Sequence, residues 1–112
     1  MSGLTMIRAR KRFAVKRPVG LCPRDGGKPA RGLMIELSSE GCRVSKLGFR
    51  NFSEGEKVTL NMGQRPALTG FIRWAHDGIA GVRFERALHM GELLELVNCS
   101  RGEEEDARRY GT

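Results

Sequence analysis

The sequence predicts a small all-β domain, an antiparallel barrel or sandwich finished by one short C-terminal helix. Three observations carry this expectation. Apolar and polar residues alternate with period two in several stretches after residue 30, the pattern of strands with one buried face. Clusters of Gly, Asp, Ser and Pro separate those stretches at intervals of about 8 to 12 residues, as in compact antiparallel folds. The chain has 112 residues, 39% hydrophobic and 29% charged, which is enough apolar side chain for one modest core and too little bias for a disordered polymer.

In chain order, a first strand falls around Ala14 to Cys22, where Pro18 marks an edge or a bulge. In Leu33-Met34-Ile35-Glu36-Leu37 the odd positions are apolar, and after Ser38-Ser39-Glu40-Gly41 the run Cys42 to Ser45 alternates again. Two strands joined by a tight turn account for both. Three more strands are expected at Val58 to Met62, Leu68 to Trp74 and Ala80 to Phe84, between turns at Ser53-Glu54-Gly55, Gly63-Gln64-Arg65-Pro66 and His76-Asp77-Gly78. Phe71, Trp74 and Phe84 fall in alternating strands and are expected in the core. The period then changes. Leu88, Leu93, Leu94, Leu96 and Val97 suit one amphipathic helix, with Gly91 and Asn98 weakening its ends. Ser100 to Thr112 carries charges without an apolar stripe and is expected to be frayed or disordered. The organisation is therefore a flexible basic arm over residues 1–13, a barrel with its helix over 14–98 and a charged tail over 99–112.

Charge is unevenly placed. Residues 1–31 hold nine Lys or Arg against Asp25 alone, whereas the rest of the chain holds eleven basic and twelve acidic side chains. A basic segment on a near-neutral body implies an anionic partner: nucleic acid, a nucleotide, an acidic protein or anionic lipid. Cys22, Cys42 and Cys99 are widely spaced and include no C-x-x-C pair, so neither a zinc framework nor a disulfide is expected, and no metal site. The G-x-S-x-G, P-loop, H-E-x-x-H and G-x-G-x-x-G patterns are all missing, and His76 and His89 stand alone, so the chain is not expected to be an enzyme. Apolar runs reach only a few residues against the ~20 needed to cross a bilayer, and Arg8, Arg10, Lys11 and Arg12 interrupt any secretory core. A cytoplasmic protein without membrane insertion is expected.

Two polar clusters could carry binding. Arg8-Ala9-Arg10-Lys11-Arg12 contains an R-x-x-x-R pair directly before the first strand, and guanidinium groups make forked contacts to phosphate and stack on purine faces. Glu36-Leu37-Ser38-Ser39-Glu40-Gly41 ends one strand and opens the next. A carboxylate there accepts two N–H bonds from a guanine edge, and the Ser38 hydroxyl serves a phosphate or sugar, although a plain strand turn would use the same residue types.

Together these clusters resemble the PilZ domain family, small β-barrels known as receptors for the bacterial second messenger cyclic di-GMP. The family pattern is R-x-x-x-R in an arm, then a strand, then D/N-x-S-x-x-G; here Arg8 and Arg12 are followed by Glu36, Ser38 and Gly41. Phe52 to Val58, Leu68-Thr69-Gly70-Phe71-Ile72-Arg73-Trp74 and Gly81-Val82-Arg83-Phe84 look like the family's later strands. The resemblance implies a six-stranded antiparallel PilZ-type barrel. It also implies a non-catalytic receptor that takes cyclic di-GMP, uses no cofactor and switches a downstream protein partner. Arg8 and Arg12 would clamp phosphates and stack on guanines, Ser38 would hydrogen-bond the ligand, and Gly41 would hold the turn open. Arg10, Lys11 and Arg43 would add positive potential at the same mouth. Glu36 stands where the family has Asp or Asn, its carboxylate one methylene further from the backbone. Displacing a bidentate pair costs ~1–3 kcal/mol, about tenfold in affinity or more. The resemblance further implies that the ligand folds the arm onto the barrel. Separately, charge complementarity leads to the expectation that the acidic run Glu103 to Asp106 competes for the arm when no ligand is present. Two other functions fit the residues: a PilZ-like protein adaptor that has lost the nucleotide, and a nucleic-acid-binding barrel. The last ranks third, because the strands offer no obvious exposed aromatic surface for stacking bases.

Overall fold

The computed structural model describes residues 11–48, 52–63 and 65–110, with side chains up to Arg101. Six strands form: β1 (Phe13–Pro23), β2 (Ala30–Leu37), β3 (Gly41–Ser45), β4 (Lys57–Asn61), β5 (Leu68–His76) and β6 (Ile79–Phe84). They close a barrel in the order β1-β2-β3-β6-β5-β4, every neighbouring pair antiparallel. Closure gives each strand two neighbours and removes the exposed edge that an open sheet would present. Pro18 pairs with Leu33 of β2, while the ladder to β4 starts only at Gly20. Proline, which lacks an N–H, thus occupies the part of β1 with a single neighbour, beside a bulge between Ala14 and Arg17.

The barrel interior is apolar, with Leu21, Leu37, Val44, Val58, Leu60 and Ile72 removed from solvent. The β5–β6 hairpin turns through Asp77 and Gly78, both at positive φ, as a two-residue turn matched to strand twist requires. Two expected phases are corrected. In β2 it is Met34 and Leu37 that are buried, whereas Leu33 and Ile35 are half-buried. The register to β3 slips between Met34 and Glu36, so one extra residue reverses the facing of everything beyond it. In β5 a second bulge between Ile72 and Trp74 turns Trp74 outward. Phe84 joins the core, but Phe71 and Trp74 are each 37% exposed on the outer face.

The chain after β6 forms one helix, α1 (Met90–Tyr110). His89 opens it: its N–H donates to Glu92 Oε1 (3.1 Å), and the Glu92 N–H donates to His89 Nδ1 (3.4 Å), a reciprocal cap of the first turn. Leu93, Leu96 and Val97 bury against the barrel. Arg17, itself buried, donates to the Met62 carbonyl (2.9 Å) and to Cys99 Sγ (3.3 Å), tying β1 to α1. Where the loss of an apolar stripe predicts a frayed end after Asn98, the helix continues to Tyr110. The residues there are mostly good helix formers, with Glu four positions before Arg at 104/108 and 105/109, a spacing that favours helix without any buried face.

Candidate functional site

The turn between β2 and β3 is built by its own polar groups. The Ser38 N–H donates to the Gly41 carbonyl (2.9 Å), and the Glu40 N–H donates to Ser38 Oγ (3.2 Å), which in turn donates to the Gly41 carbonyl (3.4 Å). The turn is tied to the next elements as well: the Phe84 N–H donates to the Glu40 carbonyl and the Leu88 N–H to the Ser39 carbonyl, each at 2.8 Å. Gly41 is required by proximity, since a side chain there would collide with the Val82 carbonyl oxygen of β6.

Beside this turn, the pairings line up outward-facing residues in two rows. The first runs Ala14, Glu36, Arg43, Gly81, Trp74 across β1, β2, β3, β6 and β5. The second runs Gly41, Arg83, Phe71, Lys57 across β3, β6, β5 and β4. In the first row Arg43 Nη2 lies 3.3 Å from Glu36 Oε1, and the Arg43 guanidinium sits 5.9 Å from the centre of the Trp74 ring. The indole lies against Gly81, where an added Cβ would come within 2.5 Å of it. His76 packs beside the indole, ring centres 5.2 Å apart.

A cavity of about 470 Å³ opens over the turn and the first row, bordered by Arg12, Glu36, Ser38, Glu40, Gly41, Cys42, Arg43, Arg73, Trp74, Gly81, Val82 and Arg83. Phe13 pairs with Leu37, so the antiparallel register brings Arg12 alongside Ser38. Four guanidinium groups face two carboxylates around an indole, an environment for a planar ligand carrying negative charge. The Glu36–Arg43 pair is part-exposed, at 31% and 41%. An exposed pair of this kind contributes only ~0–1 kcal/mol and can be displaced. Beneath the site, burial pushes the Cys42 thiol up to about 12, so it is a neutral packing group at neutral pH.

Of the residues singled out in the sequence, Arg12, Glu36, Ser38, Gly41 and Arg43 border this one cavity. Lys11 is exposed and does not border it. Arg8 and Arg10 lie outside the described residues, as do the side chains of Glu103 to Asp106. Sequence reasoning missed Arg73, Trp74 and Arg83. The bulge that brings Trp74 to the site leaves no mark in an alternation pattern, although a Gly on the neighbouring strand is the kind of signal that a flat ring lies across it.

A family model for the PilZ domain matches residues 7–102. The chain belongs to the PilZ domain family. PilZ domains are known receptors for cyclic di-GMP and are in general binding domains without catalysis. Among solved structures, the chain is similar to the PilZ domain of CeSA from a cellulose-synthesizing bacterium, at 20% identity and TM-score 0.64 over 84% of this chain and 98% of that one. It is also similar to the inhibitor of motility MotI/DgrA of Bacillus subtilis, at 14% identity and TM-score 0.57 over 90% of this chain and 53% of that one. A fainter likeness, with TM-score 0.48 and 18% identity, joins 94% of this chain to 49% of YcgR of Escherichia coli, whose structure is a complex with c-di-GMP. This PilZ chain thus spans about half the length of the latter two. No curated protein matches it in sequence. Among the described residues no helix is long and apolar enough to cross a membrane, and no three His, Cys, Asp or Glu side chains are grouped to hold a metal ion.

Proposed function

We propose that the chain is a cyclic di-GMP receptor, without catalysis, that holds its ligand between the N-terminal arginines and the E-x-S-x-x-G turn and thereby switches a protein partner. The observation that carries this reading is the meeting of Arg12 with Glu36, Ser38 and Arg43 around a single cavity. Arg12, with Arg8 four residues before it, takes phosphate oxygens through forked contacts, and Arg10 and Lys11 raise the local potential. Glu36 accepts from the N–H edge of a guanine once Arg43 yields. Arg43, already poised on the Trp74 ring, remains available to stack on the base. Ser38 keeps the turn in shape and has lone-pair capacity left for the ligand. Closing the N-terminal segment over the ligand fixes backbone at ~1–2 kcal/mol per residue, which the phosphate contacts must exceed.

Isothermal titration with cyclic di-GMP at moderate salt tests this, with GTP as control. The expected result is saturable micromolar binding, lost in Arg12→Ala and weakened about tenfold in Ser38→Ala. Restoring the family's side chain with Glu36→Asp is expected to tighten binding. Absence of binding in both the natural chain and Glu36→Asp would overturn the receptor reading and leave a PilZ-like adaptor acting through its barrel and helix.

A further inference from the structure

Two aromatic rings of β5 have no part in the core: Phe71 faces outward by alternation with Ile72, and the bulge that follows brings Trp74 to the same outer face. Phe71 and Trp74 stand in adjacent rows of the same face. Their partners on β6, Arg83 and Gly81, are two residues apart, so the rings are separated by two strand steps, about 7 Å along the strand. Each ring has a cation over it: Arg43 at 5.9 Å from Trp74 and Lys57 at 5.8 Å from Phe71. Arg73 projects from the bulge between them, and Arg83 is the direct cross-strand neighbour of Phe71. Among the described residues the side chains of Arg73 and Arg83 have no ion-pair or hydrogen-bond partner. Both border the cavity described above and also a second one of about 560 Å³ that continues along the face to Phe71. Among the described residues, the exposed large apolar side chains of the barrel wall are these two rings, the others, Met90 and Leu94, lying on α1.

The geometry points to a second binding function: the outer face of β3, β6 and β5 binds single-stranded nucleic acid, with successive bases stacked on Trp74 and Phe71 and phosphates held by Arg73, Arg83 and Arg43. Flat aromatic faces interleaved with guanidinium groups, here the unpaired Arg73 and Arg83 and the displaceable Arg43, are the means by which sheets take single strands without reading sequence. A protein interface also uses aromatic rings and Arg, but its core is depleted of charge, whereas here cations stand over and between the rings along the whole face. Glu54 and Glu85 border the far end of the second cavity, and Glu85 is paired with Lys57, so the polynucleotide track ends at Phe71. The chain's net charge of +7 adds to its attraction for a polyanion.

The chain holds a single tryptophan, Trp74, so its emission reports directly on this face. A twelve-residue oligouridylate titrated into the full chain at low salt is expected to quench that emission saturably. The logarithm of the binding constant should fall with the logarithm of salt concentration at a slope of about −2, for three phosphates at ~0.7 each. Phe71→Ala should weaken oligouridylate binding about tenfold, Phe71→Tyr should preserve it, and Arg73→Gln should flatten the salt slope. Phe71 does not border the first cavity, so the cyclic di-GMP titration of Phe71→Ala should match that of the natural chain. An intact response to cyclic di-GMP with no quenching by oligouridylate would overturn this inference and leave the receptor reading standing. Unchanged oligouridylate affinity in Phe71→Ala would overturn it too, as would equal quenching by polyglutamate, which would mark the face as one for acidic protein.

Discussion

Two glycines decide where the site's larger groups lie. At Gly81 the missing Cβ is what lets the Trp74 indole lie across β6, since a methyl group would sit 2.5 Å from the ring. Gly81→Ala is therefore expected to lift the indole off the sheet. Its emission should shift toward that of solvent-exposed tryptophan, and stability should fall by ~1–3 kcal/mol, the usual cost of overpacking. A denaturant melt followed by both fluorescence and circular dichroism would check this, and an unchanged emission maximum would refute it. At Gly41 the obstacle is the Val82 carbonyl, a backbone atom that cannot rotate away. Gly41→Ala should therefore part β3 from β6 and cost at least as much, measured by the same melt. Both glycines were visible in the sequence. Their roles were not, because the contact each avoids lies on a strand some forty positions away, or seven in the case of Trp74, and only the register of the folded sheet brings it near.

At the scale of elements, the strands were legible because alternation and turn residues are local. The Asp77-Gly78 hairpin and the break at Ser38 to Gly41 came directly from residues that favour those backbone shapes. The bulges in β2 and β5 were not legible: each inserts one residue, and one residue is enough to exchange the faces of all that follow. The expected burial of Leu33, Ile35 and Trp74 failed for that reason, while Phe71 points outward by plain alternation with the inward Ile72; with these went the ground for ranking a nucleic-acid surface last. The link between α1 and the start of β1 was equally hidden. Arg101 Nε donates to the Ala14 carbonyl (2.9 Å), and its guanidinium lies 5.8 Å from the centre of the Phe13 ring. These contacts fix the direction in which the chain leaves β1 toward Arg12. Arg101→Ala is expected to weaken cyclic di-GMP binding three- to tenfold, from ~1 kcal/mol of lost positioning. Its melting temperature should move by only a few degrees. Calorimetric titration beside a thermal melt separates the two effects; a large loss of stability with unchanged affinity would show that Arg101 merely holds the helix.

For the molecule as a whole, closure of the barrel couples the proposed binding face to the core through every strand, and Cys42 belongs to both. It pairs with Leu37 and Val82 across β3's two ladders, borders the cavity, and has its thiol pushed by burial from 9.0 to about 12. The sign of the consequence follows from which state holds the proton. Above pH 9 the unfolded chain releases it and the folded chain does not, so the unfolded state is stabilised relative to the folded one as pH rises. The contribution of the neutral thiol is fully present below pH 9 and is lost progressively up to about pH 12, at a limiting slope of ~1.4 kcal/mol per pH unit. Replacing the thiol removes this slope whatever it costs in packing. Cys42→Ala should be less stable than the natural chain at pH 7, by ~1 kcal/mol for the lost sulfur contacts. The two stability curves should then approach each other above pH 9 and cross at about pH 10, as the natural chain loses its thiol contribution at ~1.4 kcal/mol per pH unit. Urea melts at pH 7, 9, 10 and 11 measure both curves, and curves that stay parallel across that range would mean that the thiol ionises in the folded chain as readily as in the unfolded one. A crossing would instead show that the floor of the binding face stays dry and neutral under conditions that charge an exposed cysteine.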